Sequence, residues 1–411
     1  MSTQLEATRR QMRERVVIVG ASVAGVRAGQ TLRREGFTGS LTVVGEEHSP
    51  PYRRPPLSKE LLAGTIDREQ VRLGGADDLD AEWLLGRRAC ALDLRRGDLL
   101  LDNGERLGFD GLVIATGAAP RRIPNPAGLD GVHVIRTAAD CLALRLRLTS
   151  GRPRVVVVGA GFVGTEVAST CRSLGLEVAV VDPMPYPLAP LGPLVGRACA
   201  DLHRDHGVGL HLGRHLAALE GHGRVESVRL SDDTSLDADV VVVAIGVCPT
   251  TRWLNNSGLR LDDGVVCDES LAALGQDRIV VAGDVARWPH RLFDGRFVRV
   301  EHWSNAVEQG VHAARTLLTG SAAAPAFVAV PSFWSDQFGV RLQSVGLPHL
   351  ADSSAIVEGS LQERRFVALH TDRDRVVGAV AIDMPGALAA TKARIMADAQ
   401  IVDAVPRTVG V

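Results

Sequence analysis

The chain has 411 residues, enough for two or three domains, and its 45% hydrophobic residues and 43 glycines are typical of an α/β protein with many tight turns. Its net charge of -2 gives no bulk electrostatic reason to expect nucleic acid or a membrane surface as a partner. The first fifteen residues are polar and charged, and no apolar run approaches the roughly 18 residues that span a bilayer, so we expect a cytoplasmic protein.

The first predicted elements are a strand, a glycine turn, a helix, a second strand and an acid, between Val16 and Glu46. This arrangement binds a dinucleotide, because the glycines keep the turn tight and the helix N-terminus points free N–H groups at a pyrophosphate. The loop glycines are Gly20 and Gly25, and Ser22 stands where another glycine is usual. Glu46 is expected to accept hydrogen bonds from the adenosine ribose. An ordinary strand, turn and helix is the alternative for this motif taken alone.

A proline-rich stretch, Pro50 to Lys59, follows and carries three basic residues, including Arg54. Its four prolines exclude a helix interior and a central strand. Because it lies so close to Glu46, we interpret it as a rigid phosphate or flavin clamp, with a solvated basic loop as the alternative.

The hydrophobic pattern then changes to a period of two, which predicts antiparallel strands joined by hairpins. The predicted strands are Arg88–Leu94, Leu99–Leu101 and Leu112–Ile114, and they end at Ala115-Thr-Gly117.

The same order of motifs occurs a second time. The strand Val155–Val158 leads into a loop with all three glycines, and a helix and the strand Val178–Val181 follow. The residues predicted to bind a dinucleotide are Gly159, Gly161, Gly164 and the closing acid Asp182. A second meander is predicted at His211–Leu219, Arg224–Leu230 and Val240–Ala244, and it ends at Gly246, which we also assign to cofactor binding. Two copies of one unit predict a duplicated flavin and nicotinamide pair.

The six cysteines form no Cys-x-x-Cys motif and no cluster with metal-ligand spacing. They are Cys90, Cys141, Cys171, Cys199, Cys248 and Cys267. We expect small buried side chains in a reducing compartment.

The first copy resumes after the second, with a predicted strand at Arg278–Asp284 and a helix at Trp303–Leu318. The glycine loops, Ala115-Thr-Gly117 and Ala282-Gly-Asp-Val-Ala286 resemble the pyridine nucleotide flavoprotein reductases with two dinucleotide folds. Three longer motifs narrow the resemblance to the ferredoxin reductases that serve haem-thiolate monooxygenases and ring-hydroxylating dioxygenases. These motifs are Pro51-Tyr-Arg-Arg-Pro-Pro-Leu-Ser-Lys59, Glu301-His-Trp-Ser-Asn305 and Phe333-Trp-Ser-Asp-Gln337.

The resemblance covers the chain from Arg15 onward and implies an α/β fold. It implies two Rossmann-like dinucleotide-binding domains, each with an inserted β-meander, and a C-terminal α+β domain. The expected segments are 1–118 and 246–322 for FAD, 119–245 for NAD and 323–411 for the C-terminal domain. The implied cofactors are FAD and NADH, the partner is a small two-iron two-sulfur ferredoxin, and the protein is expected to be a monomer or weak dimer.

The resemblance also implies which residues hold FAD. They are the first loop, the ribose acid, the Pro-Leu-Ser-Lys segment and the Gly-Asp aspartate, namely Gly20, Ser22, Gly25, Glu46, Arg54, Lys59 and Asp284. Asp284 is expected to bond the ribityl chain, and Ala89, by its position in the meander, to offer backbone groups to the adenine. Arg136 and Trp303 are implied as well. The helix that opens near Trp303 would point its dipole at the flavin, with core packing of Trp303 as the alternative.

Three side chains are expected to act in the reaction. The resemblance places the Lys59 ammonium beside the hydride-accepting edge of the flavin, and Glu166 follows the second glycine loop, where the nicotinamide would lie. We expect Lys59 and Glu166 to pair, whereas the alternative for Glu166 is an acid that satisfies a helix start. Trp334 is the candidate for the exposed edge of the electron path, with a core aromatic as the alternative.

The segment from Arg287 to Arg299 is the predicted docking surface for the ferredoxin. It contains Arg291 and Arg296 besides its terminal arginines, and a single acid, Asp294. Complementary charge would speed encounter with an acidic ferredoxin. A solvated basic loop is the alternative.

Two other functions stay open at this stage. An NADH peroxidase, oxidase or disulfide reductase needs a redox cysteine near the flavin, and the first hundred residues contain only Cys90. A flavoprotein of the apoptosis-inducing-factor type would respond to NADH without relevant turnover.

Overall fold

The computed structural model describes residues 14–125 and 128–404. The strands of these ranges, β1 to β26 in chain order, are Arg15–Val19, Ser40–Gly45, Glu82–Leu85, Ala89–Asp93, Asp98–Leu101, Arg106–Gly108, Gly111–Ile114, Ala118–Pro120, Val132–Val134, Val155–Val158, Val178–Asp182, Gly209–Leu212, Leu216–Glu220, Ser227–Leu230, Ser235–Asp237, Val240–Val243, Val247–Pro249, Val265–Val266, Ile279–Val281, Ala286–His290, Arg296–Val298, Ser332–Gln337, Val340–Gly346, Ser353–Ser360, Arg365–Asp372 and Arg375–Ile382. The α-helices, α1 to α7, are Val23–Arg34, Glu60–Ala63, Ala138–Thr149, Phe162–Ser173, Gly192–Asp205, Trp303–Thr319 and Ala389–Ala404.

The chain divides into two compact units, and the first contains the first glycine loop. It comprises the described residues up to Arg53, together with Arg72–Ala119 and Cys248–Pro331. Its central sheet is parallel, with the strand order β19-β7-β1-β2-β3. Strands β4, β5 and β6 form a separate antiparallel meander. This is the first predicted dinucleotide-binding fold with its inserted meander.

The second unit contains the second glycine loop and the C-terminal region. It comprises Arg54–Val71, Pro120–Val247 and the residues from Ser332 onward. One parallel sheet has the order β12-β11-β10-β16-β9, and an antiparallel sheet has the order β22-β23-β26-β25-β24. Helix α5 packs on the antiparallel sheet, since Val195 and Cys199 share one buried cluster with Phe366 and Val380.

The pairing predicted for the third strand of each meander is wrong. Leu112–Ile114 and Val240–Ala244 are predicted as antiparallel strands, but β7 and β16, which form there, each lie in a parallel sheet beside the strand that precedes a glycine loop. Both β7 and β16 are buried along their whole length. Strands buried on both faces are uniformly apolar, and this is typical of parallel sheets covered by helices.

Two further segments differ from their sequence-based predictions. His211–Leu219 is two strands, because the chain leaves the parallel strand β12 through a turn at Gly213, which has a φ of 72°. The proline-rich stretch contains a 3-10 helix at Pro55–Ser58, whose fixed proline dihedrals suit a helix start. Among the described helices, none is long and apolar enough to cross a membrane.

Candidate functional site

The first glycine loop has the geometry that a pyrophosphate requires. Gly20 has a φ of 122°, and a Cβ there would lie 2.0 Å from the carbonyl oxygen of Ala115. A Cβ at Gly25 would lie 2.0 Å from the carbonyl oxygen of Gly20, so both positions exclude side chains. Ser22 is the N-cap of α1, but its hydroxyl makes no capping hydrogen bond. The N–H groups of the first turn are therefore not capped by Ser22, and this fits an anion at the helix start.

Other predicted FAD residues of the first unit lie near this loop. A Cβ at Gly283 would lie 3.1 Å from the Cβ of Ala24, so the Gly283–Asp284 turn lies against the start of α1. The Gly283 N–H donates to Oε1 of Gln309 at 2.8 Å, and Gln309 is fully buried in α6. Trp303 is the first residue of that helix and is half-buried. The first loop, Asp284 and α6 therefore belong to one packed arrangement.

Glu46 and Ala89 are also neighbours within the first unit. Glu46 is exposed just after β2, and its carboxylate lies 3.9 Å from the Arg88 guanidinium. The Arg87 N–H donates to the carbonyl oxygen of Gly45 at 2.9 Å. An exposed carboxylate beside the first strand of the meander suits a ribose and its adenine.

The second glycine loop repeats the geometry of the first. A Cβ at Gly159, which has a φ of 108°, would lie 2.3 Å from the carbonyl oxygen of Ala244. At Gly164 it would lie 1.9 Å from the carbonyl oxygen of Gly159. Gly161 is the N-cap of α4 and has open space where a Cβ would be. This space at a helix start fits the close approach of a coenzyme pyrophosphate.

Asp182 is fixed by the backbone next to the second loop. Its Oδ2 accepts from the Ala160 N–H at 2.6 Å, and its Oδ1 accepts from the Met184 N–H at 2.8 Å. The carboxylate therefore lies beside the second glycine loop, and these two hydrogen bonds fix its orientation. Gly246 is exposed with a φ of 90°, a backbone conformation that favours glycine.

The predicted pair of Lys59 and Glu166 is present in the second unit. Lys59 Nζ lies 2.8 Å from Oε2 of Glu166, and the two side chains are only 14% and 8% exposed. Ser58 Oγ donates to the same carboxylate oxygen. The 3-10 helix that carries these donors is fixed by Thr170, which donates to the Ser58 carbonyl oxygen at 2.8 Å, and by the Cys141 thiol, which donates to the Leu57 carbonyl oxygen. The fold thus holds the Lys59 ammonium and the Glu166 carboxylate together at a largely buried position.

Glu166 lies in the second turn of α4, because the helix begins at Phe162. The alternative of an acid satisfying the helix start is therefore wrong. Arg54 and Arg136, both expected to bind FAD, also meet in the second unit, where the Arg54 guanidinium donates to the Arg136 carbonyl oxygen at 2.5 Å.

Two residues of the Phe333-Trp-Ser-Asp-Gln337 motif were missed by the sequence analysis. Ser335 Oγ donates to Oε1 of Glu166 at 2.8 Å, and Gln337 Nε2 donates to Ser335 Oγ at 3.0 Å. Both residues are buried, and they alternate on one face of β22. One signal could have identified them: polar residues occupy alternate positions of a predicted strand, next to the tryptophan of the motif. Trp334 is 39% exposed, so the core alternative for this residue is wrong.

The predicted docking segment is not a basic loop. It folds as the antiparallel pair β20 and β21, and His290 within it is fully buried. Acids from other parts of the first unit pair with its arginines. The pairs are Arg287 with Asp262, Arg291 with Glu269, and Arg299 with Asp263 and Glu301. The charge excess counted along the sequence is thus largely offset by folding.

The expectation that all cysteines are buried is correct for four of the six. Cys90 and Cys248 are exposed, and Cys90 is the second residue of β4, where the strand register shifts. Burial raises the pKa of Cys141, Cys171 and Cys199 to about 12. These three thiols are protonated at neutral pH and therefore poor nucleophiles.

Comparison with known families gives the affiliation of the chain. Residues 14–310 match the family described as pyridine nucleotide-disulphide oxidoreductase, and residues 332–406 match the reductase C-terminal family. The chain belongs to the pyridine nucleotide-disulphide oxidoreductase family. The predicted oxidoreductase class and the predicted cofactors FAD and NAD(H) are confirmed by this membership.

Relatives of this family member match nearly the whole chain. Rhodocoxin reductase of Rhodococcus erythropolis is 36% identical over 379 residues, which are 90% of this chain and 86% of that protein. The anthranilate 1,2-dioxygenase system ferredoxin–NAD(+) reductase component of Burkholderia cepacia is 35% identical over 392 residues, 93% of this chain and 94% of that protein. The crystal structure of the covalent putidaredoxin reductase–putidaredoxin complex matches with a TM-score of 0.86 and 32% identity, covering 93% and 92% of the two chains. The predicted fold class is confirmed.

Proposed function

We propose that this protein takes a hydride from NADH and passes electrons to a small two-iron two-sulfur ferredoxin that supplies a monooxygenase or dioxygenase. The observation that carries the proposal is the match, along more than nine-tenths of both chains, to a reductase component named for its ferredoxin. The match includes the C-terminal region, which contains Ser335 and Trp334. The two glycine loops and the buried Lys59–Glu166 pair support it.

The positions of these residues support the roles that we propose for them. Bound FAD accepts two electrons together and releases them singly. Gly20, Ser22, Gly25, Glu46, Ala89, Asp284 and Trp303 in the first unit, with Arg54, Arg136 and Lys59, are proposed to hold it. Gly159, Gly161, Gly164, Asp182 and Gly246 are proposed to bind the coenzyme. Glu166 would orient the carboxamide, and the Lys59 ammonium would favour added negative charge on the acceptor.

Steady-state turnover with an added ferredoxin tests this function. The holoprotein, NADH and a two-iron two-sulfur ferredoxin should reduce cytochrome c at a rate that depends on ferredoxin. A protein of the apoptosis-inducing-factor type would bind NADH but show negligible ferredoxin-dependent turnover. A peroxidase would instead consume NADH with hydrogen peroxide and without any ferredoxin. Either result would overturn the proposal.

The cysteines are expected to be dispensable for turnover. Iodoacetamide at mildly alkaline pH should modify Cys90 and Cys248, because buried thiols stay protonated and shielded. The alkylated protein should keep most of its NADH-to-ferredoxin activity, with the modified sites mapped by mass spectrometry. Loss of turnover in a Cys→Ser variant that still folds and binds FAD would support the peroxidase or disulfide alternative instead.

The proposed ferredoxin surface is the hairpin Arg287–Arg299. Although several of its arginines pair with acids, Arg296 and Phe297 are exposed, and the Arg287 guanidinium lies 6.0 Å from the Phe297 ring centre. Arginine and exposed aromatic side chains are enriched at protein interfaces.

Charge reversal tests this surface. Arg291→Glu combined with Arg296→Glu should raise the KM for ferredoxin about tenfold and flatten its salt dependence, because steering by charge is lost. Reduction of ferricyanide by NADH should be unchanged. Arg96→Glu with Arg106→Glu is the matched control, since both arginines are exposed and pair with Asp98 in another antiparallel strand pair of the same unit. A wild-type KM and salt slope in the first variant would place docking elsewhere.

The finer organisation is also a proposal. We keep residues 1–118 and 246–322 as FAD-binding, 119–245 as NAD-binding and 323–411 as the C-terminal domain, although Arg54–Val71 groups with the second unit. A cytoplasmic location and a monomer or weak dimer remain predictions.

A further inference from the structure

A buried hydrogen-bond network connects Glu166 with Ser335, Gln337 and His203 inside the second unit. Oε1 of Glu166 accepts from Ser335 Oγ at 2.8 Å, and Ser335 Oγ accepts from Gln337 Nε2 at 3.0 Å. Oε1 of Gln337 lies 2.9 Å from Nε2 of His203. Each of these four residues is at most 6% exposed, so the hydrogen-bond network is shielded from water.

Along this network, from His203 to Glu166, each residue donates its hydrogen bond to the next one toward Glu166. Burial lowers the pKa of His203, so its imidazole is neutral at neutral pH. The Gln337 carbonyl oxygen can only accept, and His203 Nε2 therefore carries the proton. Gln337 Nε2 also donates to Thr165 Oγ1 at 2.9 Å, which fixes the orientation of the amide. Aligned hydrogen bonds in a shielded site polarise one another, and the last one ends on a charged group.

Ser335 makes a contact with Glu166 that the other donors do not make. Lys59 and Ser58 both bind Oε2, and bonds to one oxygen leave the carboxylate free to rotate about them. Ser335 binds Oε1 and therefore fixes the plane of the carboxylate. Because a terminal carboxylate torsion is otherwise broad, a second contact is what defines its direction.

We propose that Ser335 is a positioning residue for hydride transfer, which holds the Glu166 carboxylate in the direction that meets the nicotinamide, with Gln337 and His203 supporting it. This inference rests on the role proposed above for Glu166. It assigns a task to the serine and glutamine of the Phe333–Gln337 motif, and it places that task in the C-terminal sheet rather than in the glycine loop.

The chain offers a matched control for a test of this role. Ser344 lies on β23, the neighbouring strand of the same sheet, is 1% exposed, and its Oγ has no hydrogen-bond partner among the described residues. Four holoproteins are compared with wild type: Ser335→Ala, Ser344→Ala, Glu166→Gln, and Glu166→Gln with Ser335→Ala. Two quantities are measured, the limiting rate of flavin reduction by NADH in stopped flow and the Kd for NAD+ by calorimetry.

Ser335→Ala should lower the limiting rate about fivefold and raise the Kd for NAD+ about threefold, as expected for one hydrogen bond to a charged group. Ser344→Ala should change neither. In the Glu166→Gln background, the serine change should have almost no further effect, because its contribution passes through the carboxylate. If Ser335→Ala does not fold, Ser335→Cys replaces it, since a thiol is a weaker donor of similar size.

The outcomes separate the inference from the function beneath it. If Glu166→Gln itself leaves both quantities at wild-type values, the proposed role of Glu166 fails and this inference with it. If Glu166→Gln acts and Ser335→Ala behaves like Ser344→Ala, only the inference fails. An equal effect of Ser335→Ala in both backgrounds would show a general structural role and would also overturn it.

Discussion

NADH should exceed NADPH in kcat/KM by at least about 100-fold, which corresponds to ~2.7 kcal/mol of transition-state binding. We expect Asp182 to determine this preference. Its carboxylate is held beside the second glycine loop by hydrogen bonds from the N–H groups of Ala160 and Met184. A ribose hydroxyl can donate to this carboxylate, whereas a ribose phosphate would bring a second negative charge beside it.

The basic residue beside Asp182 does not change this expectation. The Arg214 N–H donates to the Asp182 carbonyl oxygen at 3.2 Å, but the Arg214 guanidinium pairs with Asp232 at 2.6 Å. The segment after Asp182 supplies no arginine, and Tyr186 packs on Gly196, where a Cβ would lie 2.4 Å from its ring. Aspartate is also shorter than the glutamate usual in such reductases, so coenzyme affinity is expected to be modest.

The preference is measured with ferricyanide as acceptor, so that ferredoxin docking does not enter. Asp182→Asn should reduce the ratio of NADH to NADPH efficiency below about 10, because the repulsion is removed. Asp182→Asn with Asp232→Asn should reduce it further by releasing Arg214. Asp201→Asn is the control, since Asp201 is an exposed carboxylate paired with Arg204 on α5. A wild-type efficiency for NADPH equal to that for NADH would refute the assignment.

The repeated architecture was predictable because local chemistry determines it. Gly20 and Gly159 occupy backbone conformations that favour glycine, and Gly25 and Gly164 have no room for a side chain. The strands before these loops are short apolar runs, and their bounds in the structure agree with the predicted ones to within a residue. What the sequence did not show was the sheet partner of β7 and β16. An apolar run has the same appearance in either sheet, since pairing is a property of the fold.

Site residues could be predicted from the sequence only where a family motif contains them. Lys59 and Glu166 are 107 residues apart, and the resemblance supplied their pairing. Ser335 and Gln337 were missed because a buried hydroxyl or amide is identified by its partners, which lie on α4 and α5 far away in the sequence. The net charge of the docking segment was overestimated for a related reason. Its charge was counted along the chain, whereas Asp262 and Glu269 reach it through space.

Glu166→Gln should slow flavin reduction by NADH about 10- to 100-fold without loss of FAD. The substitution keeps the shape of the side chain but removes its charge. Both Lys59 and Ser58 donate to Oε2 of Glu166, and an amide nitrogen at that position would face two donors. The amide oxygen can face them only if the nitrogen then faces Ser335 Oγ, where the carboxylate now accepts a hydrogen bond. Either orientation breaks the arrangement that we expect to orient the carboxamide.

The loss of charge should also lower stability. Removing one partner of a pair whose side chains are 14% and 8% exposed leaves a largely buried cation without its counter-charge. Breaking such a pair typically costs about 3–5 kcal/mol in the free energy of unfolding. FAD content and thermal unfolding are therefore measured alongside stopped-flow reduction, so that a slow rate in folded, loaded protein can be assigned to the chemistry.

Glu220→Gln is the matched control for this change. Glu220 also accepts from an arginine, Arg229 at 2.8 Å, and from a serine hydroxyl, Ser227 at 3.1 Å. Its side chain is 42% exposed, on the meander strand β13 of the same unit. It should leave the rate of flavin reduction unchanged, because an exposed ion pair away from the glycine loop has no reacting group to orient. If Glu166→Gln reduces flavin as fast as Glu220→Gln, Glu166 serves only to neutralise Lys59 within the fold, and the nicotinamide is oriented by other groups.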